Sequence, residues 1–262
     1  MNTAIKHLSI ITGASRGMGE AIALQLLAPD RLVLGISRGQ SQALQQRAAE
    51  LGAPEQFLLQ WQADLSEPLP VAERLRDWLI AQAPAGIASL ELINNAALLS
   101  PPGPVDARPL AELSAALRVS LEATLLLSAA VLEATADWSC PRRVLNISSG
   151  LGRRAMAGSA GYCAAKAGMD NLSRAMALDE AHKQAQGRPA AQVVSLAPGI
   201  IDTDMQVQLR SADAAQFPDQ AVFAGFKQAG QLSSPAEAAA RVLAVLRRPD
   251  FGSQVLADVR EA

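Results

Sequence analysis

A serine, a tyrosine and a lysine are spaced for proton transfer in this chain: Ser149 stands thirteen residues before Tyr162, and Lys166 follows Tyr162 by four. On a helix, residues four apart share one face, their side chains one turn apart. A free phenol has a pKa of about 10 and handles protons poorly at neutral pH. A neighbouring ammonium favours the phenolate, so the pair predicts a lowered pKa for Tyr162 and a better general acid. A serine hydroxyl close by would hold a substrate carbonyl against the phenol. Tyr-x-x-x-Lys recurs by chance in many helices; here it follows a strand-like run ending Asn146-Ile147-Ser148-Ser149, and the chain opens with a nucleotide-binding turn.

The elements that must position these residues alternate. Short apolar runs at 8–12, 31–36, 57–62, 90–94, 143–147, 192–196 and 254–257 read as strands, and segments 20–27, 42–51, 71–82, 113–135, 163–183 and 235–246 read as helices. Near-continuously apolar strands alternating with helices predict a parallel sheet covered on both faces. No linker or repeat divides the chain, so the expectation is one Rossmann-type, doubly wound α/β domain over 1–262. Ser234-Pro235-Ala236-Glu237 predicts a capping box with proline in the first helical turn. Pro101, Pro102, Gly103, Pro104 and Pro109 make 98–109 a loop. The span 203–230 has no clear strand and carries Phe217, Phe223 and Phe226, three of the five phenylalanines. It reads either as an apolar lid over a pocket or as a helical corner packed on the core.

Helices 113–135 and 163–183 are rich in Ala and Leu around their circumference. A helix apolar on most faces must be buried on most faces, which predicts a homodimer or homotetramer formed through these two. The net charge of −2 lacks the basic surplus of a nucleic-acid binder. No apolar run is expected to approach a membrane span, and residues 1–7 lack a signal-peptide layout, which leaves no membrane partner and a cytoplasmic location as the expectation. Cys140 and Cys163, like His7 and His182, lack metal-ligand spacing, so no metal site is expected. Cys163, beside Tyr162, reads as a small apolar filler rather than a working thiol.

The first strand runs into Gly13-Ala14-Ser15-Arg16-Gly17-Met18-Gly19 and then a helix. Glycines let the backbone approach a pyrophosphate, and the helix N-terminus offers free N–H groups to its charge. At the end of the second strand an NAD-binding chain usually places an acid for the ribose 2′-hydroxyl, whereas arginine accommodates a 2′-phosphate. Here Ser37-Arg38 stands there with no acid, and Arg16 supplies a second guanidinium, which predicts NADP(H) as the cofactor. Further stretches follow later strand ends. Asp64-Leu65 would face the adenine, Asn95-Ala96-Ala97 would let the ribose approach closely, and Pro198, Gly199, Ile201, Thr203 and Met205 would wrap the nicotinamide.

Together T-G-A-S-R-G-M-G, N-N-A-A, N-I-S-S, Y-C-A-A-K and P-G-I-I-D-T-D-M resemble, in order and spacing, the motifs of the short-chain dehydrogenase/reductase family over essentially the whole chain. Within that family the chain is similar to the sepiapterin reductase and benzil (diketone) reductase branch. The resemblance implies an NADPH-dependent carbonyl reductase. In it Tyr162 is the acid–base, Lys166 lowers the tyrosine's pKa and holds the nicotinamide ribose, and Ser149 orients the carbonyl, with Gly199 also at the substrate. Three positions depart from the pattern. Ser120 stands where the family has a fourth catalytic residue, an asparagine, which puts the proton relay in question. Ala97 replaces the glycine of N-N-A-G. Leu256 aligns with the aspartate that holds the pterin in sepiapterin reductases, with Asp258 two residues on. A pterin without that carboxylate would leave polar groups unpaired, at a cost of about 1–3 kcal/mol, which favours an apolar or aromatic ketone or diketone. Arg153 and Arg154 read either as a solvated loop pair or as a hold for an anionic substrate. A second reading of the whole chain is a non-catalytic NADP(H)-binding regulator or scaffold.

Overall fold

Seven parallel strands form one sheet in the order β3-β2-β1-β4-β5-β6-β7 in the computed structural model, which describes residues 4–82 and 86–261. The strands are β1 His7–Thr12, β2 Arg31–Ser37, β3 Leu58–Gln62, β4 Ser89–Asn94, β5 Arg142–Ile147, β6 Gln192–Ala197 and β7 Leu256–Asp258. The helices are α1 Gly17–Leu26, α2 Gln42–Glu50, the single turn α3 Pro54–Phe57, α4 Pro68–Ile80, α5 Leu110–Leu117, α6 Ala123–Ala134, α7 Ala160–Ala185, α8 Asp204–Arg210, α9 Gln220–Gln228 and α10 Pro235–Leu246. The anticipated doubly wound α/β domain is therefore observed.

The strands are apolar on both sides because both sides are covered. Ile11, Val33, Ile93, Leu145 and Val194 pack with α1, α2 and α10, while Leu8, Ile10, Leu34, Leu92 and Val144 pack with α4, α6 and Met176 of α7. At the amino-terminal end of the sheet Arg31 pairs with buried Glu91, to which Ser9 Oγ donates at 2.6 Å. That end is sealed. The opposite, carboxyl-terminal edge is open, and the strand order reverses between β1 and β4, where open α/β sheets hold their ligands. α10 begins with the anticipated capping box of Ser234 and Glu237, with Pro235 in its first turn.

The run 113–135 is one helical rod, Leu110–Ala134, interrupted by a π-type turn at Arg118–Glu122. Its 25 residues, with a mean hydropathy of 1.7 over the most apolar 18, correct the expectation that no apolar run reaches spanning length. In this fold the rod packs its inner side on α4 and the sheet, and Leu121 seats against Gly168 of α7. Residue 57 ends a helical turn rather than starting β3.

Candidate active site

A cavity of about 970 Å³ runs along the open edge of the sheet. Its floor is the turn after β1, where Gly13 and Gly17 adopt φ of +69° and +59°. A Cβ on Gly19 would lie 2.2 Å from the Gly13 carbonyl oxygen, so only glycine lets α1 start this close to the turn. No side chain caps α1, which leaves its first N–H groups facing the cleft. Thr12 fixes the neighbouring loop: its Oγ1 accepts from the N–H groups of Asn95 and Ala96, each at 2.9 Å. Asn95 Nδ2 donates back to Thr12 O at 3.0 Å, so the β1 and β4 loops move as one. The turn, the uncapped helix and the cavity's size fit a dinucleotide.

Ser149 follows β5 by two residues, Tyr162 and Lys166 stand on α7, and a buried polar chain joins the two elements. Asn94 Nδ2 donates to Asn146 Oδ1 at 2.8 Å, and Asn146 Nδ2 donates to Ser173 Oγ at 2.8 Å. Sequence reasoning missed that role for Asn94 and Asn146; two asparagines at adjacent strand ends were the available signal. Lys166, 1% exposed, donates from Nζ to Ile147 O at 2.6 Å and lies 5.7 Å from the centroid of the Tyr162 ring. Burial pushes the Tyr162 phenol up to about 12, opposed by a hydrogen bond with Ser149. Burial also brings the Lys166 ammonium down to about 8, opposed by Asp170. The expected lowering of the phenol by the lysine is thus corrected: the ammonium is spent on a backbone carbonyl, and desolvation of the ring governs.

The cleft gathers Gly13, Ser15, Arg16, Gly17, Met18, Gly19, Ser37, Arg38, Asp64, Leu65, Asn95, Ala96, Ala97, Ser149, Tyr162, Lys166, Pro198, Gly199, Ile201, Thr203 and Met205 on one wall. Ser120 is not brought to it. It is fully buried in the π-type turn, where its Oγ accepts from the Leu98 N–H at 3.0 Å and so holds the loop after β4. Arg16 pairs with Asp204 at 2.9 Å, linking the glycine turn to the start of α8. Asp64 is held below the usual carboxylate range first by the Ser66 backbone N–H.

The cavity also has an apolar lining, of which the sequence announced only Phe223 and Phe226. Leu99, Leu151, Met156, Leu209, Phe223 and Phe226 line it, with Arg154 and Arg260 among them. The phenylalanines of 203–230 divide: Phe217 is fully buried, whereas Phe223 and Phe226 border the cavity. Arg153 is exposed, as expected of a solvated loop residue, yet tethered: it donates to Ala257 O at 2.9 Å and lies 3.5 Å from Asp170. Asp258 is buried and grips Arg260 through two hydrogen bonds of 2.8 and 2.5 Å.

Residues 7–214 match the family model described as short chain dehydrogenase. The chain is 30% identical over 242 residues to benzil reductase ((S)-benzoin forming) from Bacillus cereus, covering 92% of this chain and 94% of that one. It is 33% identical over 253 residues to sepiapterin reductase from Mus musculus, covering 93% of each. Among solved structures, an NADP-bound protein from Beutenbergia cavernae, titled an NAD(P)-dependent gluconate 5-dehydrogenase, superposes with a TM-score of 0.75 at 25% identity, covering 98% of this chain and 96% of that one.

Proposed function

The chain belongs to the short-chain dehydrogenase/reductase family, an oxidoreductase of C=O and CH–OH groups using a nicotinamide cofactor, and from that premise we propose that it is an NADPH-dependent reductase of ketones or 1,2-diketones with Tyr162 as general acid. The observation that carries this reading is the convergence of Ser149, Tyr162 and Lys166 with the glycine turn on one cavity. The apolar wall and the benzil-reducing relative support a diketone. Gly13, Gly17, Gly19 and the start of α1 would hold the pyrophosphate, and Arg16 and Arg38 the 2′-phosphate. When bound, NADPH supplies the hydride that goes to the carbonyl carbon. The Ser149 hydroxyl holds the carbonyl oxygen against Tyr162, whose Oη gives it a proton. A phenol near 12 is fully protonated at neutral pH and so holds the proton to be given, but it is a weaker acid than one whose pKa lies near the operating pH.

Mixing the enzyme with NADPH and a panel of 1,2-diketones should give diketone-dependent loss of NADPH absorbance. NADPH binding without turnover of any ketone would support the non-catalytic regulator or scaffold instead. Arg38→Asp should reverse or erase the preference for NADPH over NADH in kcat/KM, and an unchanged ratio would remove Arg38 from cofactor selection. The reductase assembles as a homodimer or homotetramer through α5–α6 and α7, whose Leu110, Leu117, Leu125 and Leu178 stand exposed.

A further inference from the structure

The reacting end of the cavity carries more positive charge than the proton-transfer chemistry uses. Arg154 lines the cavity and its side chain has no hydrogen-bond or ion-pair partner among the described residues, whereas adjacent Arg153 is held by Ala257 O and Asp170. The carboxylates bordering the cavity are engaged elsewhere. Asp204 pairs with Arg16 at 2.9 Å, Asp202 pairs with Arg210 at 3.1 Å and Lys227 at 2.5 Å, and Asp64 accepts from the Ser66 N–H at 2.9 Å. Arg260 is aimed rather than loose, because the two-point grip of Asp258, 4% exposed, fixes one edge of its guanidinium. The other N–H groups of that fork remain to bind an anion in the same planar way.

Position separates this pair from the cofactor's phosphates. Arg154 follows Ser149 by five residues beyond β5, and Arg260 follows β7, where the Val259 N–H donates to Ala197 O just before Pro198-Gly199. Arg38 directly follows β2, which stands three strand steps from β5 and five from β7 in the sheet order. At about 4.8 Å per step those separations are about 14 and about 24 Å. A phosphate served by Arg38 therefore leaves Arg154 and Arg260 for the substrate.

We propose that the ketone reduced here carries a carboxylate, bound by Arg154 with Arg260 beside it, on an aryl or other apolar body that lies against Met156, Phe223 and Phe226. The assignment rests on the reductase reading above and narrows its substrate class to keto acids. Both arginines are solvent-exposed, Arg260 66% so, and the attraction is therefore screened by salt and strongest at low ionic strength.

Benzoylformate and its methyl ester share ring and ketone but differ in charge, in one methyl group and in the electrophilicity of the ketone. Intrinsic reactivity cancels in the change of their kcat/KM ratio on substitution, so it is that change that reads the charge. With saturating NADPH at low salt, the acid's KM should rise with ionic strength while the ester's does not. Arg154→Ala should lower the acid-to-ester ratio at least tenfold and weaken calorimetric binding of benzoylformate by a similar factor. Arg154→Lys should restore part of both losses. A KM for the acid that does not respond to salt, or a ratio that Arg154→Ala leaves unmoved, overturns the carboxylate assignment while the reductase stands. Turnover of no ketone at all sinks both.

Discussion

Tyr162 is the one tyrosine in the chain, so its ionisation can be followed by tyrosinate absorbance without interference. Titrating the folded, cofactor-free enzyme should give a midpoint near 12, because burial disfavours the charged phenolate more than the Ser149 hydrogen bond favours it. A midpoint below 10 would restore the lysine as the dominant influence. Replacing the phenol by Phe removes the proton donor and leaves the ring's packing in place. Tyr162→Phe should lower kcat by about 10²–10⁴, the usual worth of a placed general acid; a loss under threefold, with chemistry rate-limiting, would take Tyr162 out of that role. The identity of these residues was legible in the sequence because catalysis restricts residue type and spacing. Their electrostatics were not. Lys166 donates to Ile147 O, a backbone atom nineteen residues away that no side-chain pattern reveals. For the same reason Arg153 and Arg154 looked alike in the sequence, and only folding gives Asp170 to the first and the cavity to the second.

The elements that carry strong periodicity were readable to within a few residues, since strands buried on both faces leave continuous apolar runs. β7 was displaced by two residues because its extent is set by pairing with Ser195–Ala197 of β6, a partner some sixty residues away in the chain. The span 203–230 could not be resolved between lid and packed corner, and its phenylalanines divide, one packed in the core and two bordering the cavity. Phe217 is fully buried, its ring 5.6 Å from that of Phe223 and close against Gly158, and it pins the segment between α8 and α9. Phe226 stacks edge-on to Phe223 and reaches the cavity. Phe217→Ala should therefore cost about 3–5 kcal/mol of stability, read from urea unfolding, as expected for a truncated core ring. Phe226→Ala should leave the unfolding midpoint close to that of the parent and raise KM for an aromatic diketone severalfold. If Phe217→Ala is tolerated without loss, the anchoring role fails. If the KM of Phe226→Ala stays put, the substrate does not use that wall.

At the scale of the whole molecule, the rod Leu110–Ala134 poses a question of solvent. Only 44% of its most apolar window is buried within one chain, although its composition would suit burial on every side. Leu110 is 84% exposed and Leu178, on α7, 73% exposed, so the two helices offer apolar surface outward after the core is complete. Burying a leucine contributes about 1.5–3 kcal/mol, and a two-fold interface repeats each contact, so one position acts twice in a dimer. A carboxylate in place of such a leucine would be desolvated at the interface without a partner, and would be doubled by the symmetry. Leu178→Glu should accordingly shift the sedimentation mass from a multiple of 27.4 kDa towards the single chain. Its circular dichroism should stay unchanged, since Leu178 supports little of the monomer's own packing. A parent protein that sediments as one chain at micromolar concentration would defeat this assembly outright. A variant that keeps the parent's mass would move the interface away from Leu178 and leave the outward leucines of α5 and α6 to carry it.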